Sequence, residues 1–199
     1  MTLVRSAALA TVAAAVVLMP TSTYADVRGH SDPAGDVRSV ALDATHKIVP
    51  SPSAAEPGAS FADVTRVRVD HASRKVKVVL RFRDLQRIGT GQVQEILLLT
   101  PKRSRFVFVA AGPGHWRGKV TMRTVHDKKV ACSHLSRKID YADDKITVGV
   151  PRSCLGRPSV VKVGTFTMVG TDSRVYYDDG FTNGGEFTDE FGLSPKVHR

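Results

Sequence analysis

Asp32 and Asp36 flank a Pro-Ala-Gly bend in the stretch SDPAGD. Pro33 presets a turn and Gly35 tolerates left-handed backbone, so the bend can fold two carboxylates and neighbouring carbonyls toward one point. Calcium takes about six to eight oxygen ligands, more than two carboxylates supply. Asp63, Asp178 and Asp179 are the acids that could complete such a shell. The other chemistry open to the pair is an Asx turn, in which each side chain accepts from backbone N–H groups close by in sequence.

A second pattern is cationic. In DVTRVRVDHASRKVKVVLRFRDL the apolar positions alternate: Thr65, Val67 and Val69 on one face, then Val76, Val78, Leu80 and Phe82 after a turn over 71–74. Period-two alternation broken by a turn predicts a hairpin with one face on a core. In that register Asp70 opposes Lys75, Arg68 opposes Lys77 and Arg66 opposes Val79, while Arg81 and Arg83 continue the outward parity. Like charges directly opposite one another destabilise a sheet, so this face invites an acidic neighbour or an anionic ligand. Sulfated or uronic polysaccharides and teichoic-type polymers carry suitable charge. Nucleic acid does too, but a nucleic-acid surface normally interleaves stacking aromatics, which this face lacks, and no specific nucleic acid is expected. The alternative is a solvated face whose lysines and arginines discourage edge pairing. Trp116, the only tryptophan, lies in the glycine-rich stretch GPGHWRG beside His115 and Arg117. It can serve as a stacking platform for a sugar ring or fold down over the core.

Catalytic signatures are sparse. The chain has no G-x-S-x-G elbow, no H-E-x-x-H, no phosphate-cradling glycine loop and no dinucleotide fingerprint. Its seven histidines show no zinc spacing. Glycoside-cleaving carboxylates could be drawn from Asp143, Asp144, Asp178, Asp179, Glu186 and Glu190, but that chemistry depends on a separation in space. A non-catalytic protein is expected.

Residues 1–25 carry one base, Arg5, then an Ala/Val/Leu run ending at Pro20, then small residues up to Ala25. That is the form of a secretory signal, cut ahead of Asp26. The run over 6–19 is shorter than the roughly 20 apolar residues that span a bilayer, and no second such run follows. A secreted, soluble protein is expected, with no transmembrane segment after cleavage. Removing the signal takes away Arg5 and no acid, so the formal charge falls from +10 only to +9. Cys132 and Cys154, the only cysteines, then read as one disulfide, with a catalytic thiol next to His134 as the alternative.

These groups must be positioned by strands. Beyond the hairpin, alternation predicts strands over 92–100, 103–111, 119–125, 129–135, 138–141, 145–150 and 160–169, separated by Gly, Asp and Pro turns. The expected fold is all-β: a single antiparallel β-sandwich, jelly-roll or immunoglobulin-like, over residues 26–199. A first strand is placed near 36–42, an exposed connection over 44–60 and an irregular tail over 176–199, where Phe181, Phe187 and Phe191 pack back on the body. A monomer is expected.

The succession DPAGDV, DVTRVRVDH, KVKVVLRFRDL, AGPGHWRG and IDYADDKITVGVPRSCLG resembles a group of small secreted actinobacterial proteins of uncharacterised function. More distantly, the acidic opening before an Asp-initiated strand pair resembles the calcium-containing sandwiches related to family-nine carbohydrate-binding modules. That likeness implies a structural calcium and a glycan ligand, with Asp32, Asp36 and Asp63 at its acidic positions. The aromatic pair that clamps sugar in such modules has no counterpart in this chain. Together these readings describe a binding module for an extracellular glycan or polyanion, attracted by Arg66, Arg68, Lys77, Arg81 and Arg83 and stacked on Trp116. A structural or protein-binding domain of the cell envelope, or a hydrolase using tail carboxylates, are the rival readings.

Overall fold

A computed structural model describes residues 26–182 and 192–199. The signal reading of 1–25, Phe187, Phe191, Glu186 and Glu190 lie outside them. The described chain folds as an antiparallel β-sandwich. One sheet has the order β1 (Asp26–Ser31), β4 (Val64–His71), β5 (Lys75–Phe82), β10 (Lys145–Pro151), β9 (Ser136–Asp140). The larger sheet runs β3 (Ala54–Ala55), β2 (Arg38–Ala41), β12 (Arg174–Asp179), β11 (Val160–Gly170), β6 (Gly91–Leu99), β7 (Ser104–Ala111), β8 (Lys119–Thr124). A short β13 (Val197–His198) adds to the start of β11. Among the described residues no helix is long and apolar enough to cross a membrane.

Alternation decides which side chains meet between the sheets. Val67, Val69, Val76, Val78, Leu80, Ile146, Val148 and Val150 face inward from the smaller sheet. Ile96, Leu98, Val107, Val109, Met122, Val161 and Val163 meet them from the larger one. Each such side chain contributes about 1.5–3 kcal/mol by leaving water. The inner face of the larger sheet is polar along one lane: Gln94 pairs across to Thr167, and Thr167 to Asp178. All three are buried.

The hairpin of β4 and β5 turns more tightly than its sequence suggests. Ala72 N–H donates to Lys75 O at 3.0 Å, leaving only Ser73 and Arg74 in the turn. The register is therefore displaced by two residues: Asp70 faces Lys77, Arg68 faces Val79, and Arg66 faces Arg81. A bulge between Val64 and Arg66 puts Val64 rather than Thr65 in the core.

Three more expectations are corrected. Asp26–Ser31 pairs along β4 as a strand, although its Gly, His and Ser carry no apolar alternation. Residues 129–135 contribute one bridge, Arg123 to Lys129, and no strand. The connection over 44–60 is exposed over most of its length, as expected, and is tied down in its second half, where β3 pairs with β2, Glu56 accepts from Arg174 at 3.0 Å and Ala59 is buried. The tail starts later than expected: Tyr176–Asp179 belong to β12, held between β2 and β11. The acids of that strand disguise its pattern because Asp178 faces a buried acidic site and Asp179 is held by the following turn, rather than both facing solvent.

Cys132, after β8, and Cys154, in the 3-10 turn Arg152–Leu155, form a disulfide with Cα atoms 5.6 Å apart. Both thiols are thereby consumed, which removes the catalytic-thiol reading. Closing a sequence separation of 22 contributes about 3 kcal/mol in the chain-entropy picture.

Candidate metal centre and cationic sheet face

The chain leaves β1 at Ser31 and enters β2 at Arg38, crossing from one sheet to the other through the SDPAGD bend. Asp32 N–H donates to Thr65 O at 3.1 Å, fixing the start of the crossing. Gly35 takes the bend at a φ of 85°, and its N–H donates to Asp63 Oδ2 at 2.7 Å. The result turns Asp32 and Asp36 toward Asp178 on β12. Carboxylate oxygens of the three lie within 4.8 Å of one another.

Burial makes this arrangement costly without a counter-ion. The Asp32 side chain is 0% exposed, and neither of its oxygens has a hydrogen-bond partner among the described residues. His30 Nε2 stands 4.0 Å away. Desolvation, reinforced by Asp178, Asp36, Asp179 and Asp63, pushes the Asp32 carboxyl up to about 9. Asp178 Oδ2 accepts from Val64 N–H at 2.6 Å, yet desolvation still pushes that carboxyl up to about 8. Buried carboxylates sharing a site cannot all ionise by themselves; protons or a cation must neutralise them. The donors are all oxygen, which suits a hard cation such as calcium. Thr167, directly across from Asp178, adds a buried hydroxyl with no partner among the described residues.

The five acids singled out by sequence thus divide. Asp32, Asp36 and Asp178 converge. Asp63 borders the cluster, its Oδ2 engaged by Gly35 N–H and facing Arg83 Nη1 at 3.1 Å, its Oδ1 buried and unpartnered among the described residues. Burial nevertheless holds Asp63 above its ordinary range. Asp179 closes the following turn, accepting from Phe181 N–H at 3.0 Å and Gly192 N–H at 2.7 Å.

The outer face of the smaller sheet carries the cations. Cross-strand register aligns Ser31, Arg66, Arg81, Lys145 and Asp140 in one row over β1, β4, β5, β10 and β9. The next row reads Gly29, Arg68, Val79, Thr147, Lys138, and the third Val27, Asp70, Lys77, Gly149, Ser136. Three cations therefore stand side by side in the first row. Asp140 at its end is taken by Lys138 Nζ at 2.6 Å, and Lys145 Nζ holds Asp143 at 2.8 Å. Arg66, Arg68, Lys77 and Arg81 make no side-chain hydrogen bond or ion pair among the described residues. They and Lys145 line a groove of about 350 Å³ with Asp70 as its only acid among the described residues. Lys145 is the member that the hairpin pattern did not reveal.

Arg83 stands apart from this face. It follows β5, donates to Pro57 O at 2.6 Å and pairs with Asp63, clamping the 57–63 connection against the bend. Trp116 also lies elsewhere, half-buried in the β7–β8 connection, with its ring edge-to-face against Tyr141 at 6.4 Å. The imagined glycosidase acids are scattered: Asp143 pairs with Lys145, and Asp144 accepts from Leu85 N–H at 2.8 Å at the β9–β10 turn, while Asp178 is buried.

Comparison with protein-family models, curated proteins and solved structures found no match to this chain.

Proposed function

We propose that the protein is a secreted, non-catalytic module that binds an extracellular polyanion, an anionic glycan in the first instance, on the outer face of its smaller sheet. The observation that carries this reading is the row Arg66, Arg81, Lys145, three cations on adjacent strands with no acid between them. Cations directly opposite one another repel, and an anionic polymer laid across the strands converts that repulsion into attraction. The rigid sheet fixes their spacing before binding, so little ordering is required of the protein. The disulfide and the signal-like 1–25 segment support an extracellular setting.

A structural calcium ion held by Asp32, Asp36 and Asp178 completes the reading. It would supply the positive charge that the buried carboxylates lack, and it would join the crossing segment of one sheet to β12 of the other. The orphaned oxygens of Asp32 are what support it.

Binding of a polyanion should weaken steeply between low and physiological salt, because exposed charge contacts are screened within about 8–10 Å. Arg81→Glu is expected to reduce affinity for a polyphosphate chain about tenfold, roughly 1.4 kcal/mol, and to flatten the salt dependence. Lys102→Glu, on an exposed turn away from the row, should leave both unchanged. Equal affinity of wild type and Arg81→Glu in a titration at low salt would exclude the sheet face as the site.

A further inference from the structure

A second cluster of cations lies outside the sheet face. Arg87, Arg117, Lys119 and Arg137, together with His115, line an open cleft of about 690 Å³ around Trp116, with no acid among the described residues in its walls. They come from the chain after β5, the β7–β8 connection, the start of β8 and β9, so only the fold brings them together. The cleft is built rather than accidental. Tyr141 O–H donates to Trp116 O at 3.0 Å and accepts from Gln92 Nε2 at 2.9 Å, anchoring the turn to the buried polar lane of the larger sheet. The Tyr141 ring meets the indole at an interplanar angle of 84°, and the Arg87 guanidinium lies 4.7 Å over that same ring. Arg137 donates twice to Gly118 O, at 3.0 and 2.7 Å, closing the far side. The indole is thus braced on one side while it still lines the cleft, among cations with no acid beside them in the cleft among the described residues.

We propose that this cleft is a second subsite for the same ligand, one that takes an anionic saccharide unit, stacking its ring on Trp116 and holding its sulfate or carboxylate groups with Arg87, Arg117 and Lys119. The proposal rests on the polyanion reading of the sheet face and adds a chemical distinction to it. The sheet face offers charge alone and accepts any polyanion. The cleft requires a ring with an apolar face, because an indole contributes through stacking contact as well as through nearby charge. The two sites adjoin through one hairpin: Asp140 ends the cationic row opposite Lys145, and Tyr141 follows it directly. A single aromatic platform suits one sugar unit better than a nucleic-acid strand, which is usually held on several successive stacking residues.

Trp116 is the only tryptophan, so its emission reports on the cleft alone. Purified protein is titrated at low salt with heparin oligosaccharides, with polyphosphate of matching charge and with oligothymidylate, following emission together with calorimetric binding. Heparin is expected to change the emission and to bind about tenfold more weakly to Trp116→Ala, with Trp116→Phe recovering part of the loss. Polyphosphate is expected to bind both proteins alike and leave the emission unchanged. Arg117→Glu, an exposed position that does not disturb the indole's packing, should weaken heparin binding with an unaltered melting temperature. Equal heparin affinity for wild type, Trp116→Ala and Arg117→Glu would overturn the subsite while leaving the sheet face standing. An emission change with oligothymidylate as large as that with heparin would overturn it in favour of a nucleic-acid site. Failure of both heparin and polyphosphate to bind would remove the sheet-face reading and the subsite with it.

Discussion

Adding calcium to chelated protein is expected to raise its melting temperature by about 5–11 °C. Free calcium at about 100 times its dissociation constant stabilises by roughly 2.7 kcal/mol, and 1 kcal/mol moves the transition of a 150–250-residue domain by about 2–4 °C. Asp32→Ala should abolish the response, because it removes the carboxylate whose oxygens have no hydrogen-bond partner among the described residues. The effect is linked to pH with a defined sign. Asp32 and Asp178 are raised in the fold to about 9 and about 8, so the calcium-free fold holds their protons more tightly than the unfolded chain does. The stability they contribute is fully present below their unfolded range near 3.8 and is lost as pH rises toward 8 and 9. The calcium-free melting temperature should therefore fall between pH 5 and pH 9 while the calcium-loaded value holds, widening the gap. Thermal unfolding in chelator and in calcium across that range checks it. A gap that closes with rising pH, or a wild type blind to calcium, would return Asp32 and Asp36 to the role of turn formers.

Gly89→Ala carries the largest single-residue penalty expected outside the core. Gly89 has a φ of 64°, and a Cβ there would sit 2.0 Å from Gly170 O, the carbonyl that accepts from Thr90 N–H at 2.8 Å. Left-handed backbone costs a non-glycine residue about 1–2 kcal/mol, and losing the Thr90 bond adds about 1 kcal/mol. With the forced separation of the ends of β6 and β11, a loss of about 3 kcal/mol and roughly 6–12 °C is expected. Gly58→Ala is the comparison, since a Cβ there meets nothing within 4 Å. It should melt within about 2 °C of wild type. Equal transitions for the two variants would show that the 89–91 turn relaxes freely.

Much of the scaffold was legible because period-two alternation is a direct imprint of a half-buried strand. The strands that became β5, β6, β7, β8, β10 and β11 stand close to where alternation put them. The acidic centre was legible as a set of candidates, since Asp32, Asp36 and Asp178 are conspicuous acids near turns and strand ends. Its membership was not, because only the strand register shows that Asp179 faces a neighbouring turn while Asp178 faces the crossing segment. The row of cations was misread by two positions for a similar reason: alternation reports the face of a residue but not its cross-strand partner, which turn length sets. Arg83 had the parity of a sheet residue, but β5 ends at Phe82 and the side chain turns to Asp63 instead. Arg87 and Arg137 gave no local sign of the Trp116 cleft, since their proximity depends on long-range packing.

The acidic centre joins parts of the chain that meet only when both sheets are docked. Asp32 follows β1, Asp36 precedes β2, and Asp178 ends far downstream on β12. Contacts this distant in sequence are costly in chain entropy and tend to form late. Calcium bound there would then be absent from the folding transition state, and its influence would fall on escape from the native state: refolding proceeds at the same rate with or without the ion, while unfolding slows by up to about a hundredfold at 100 times the dissociation constant. Were the protein outside the cell, where proteases act on whatever opens, such an ion would act as a timer on lifetime more than as an aid to folding.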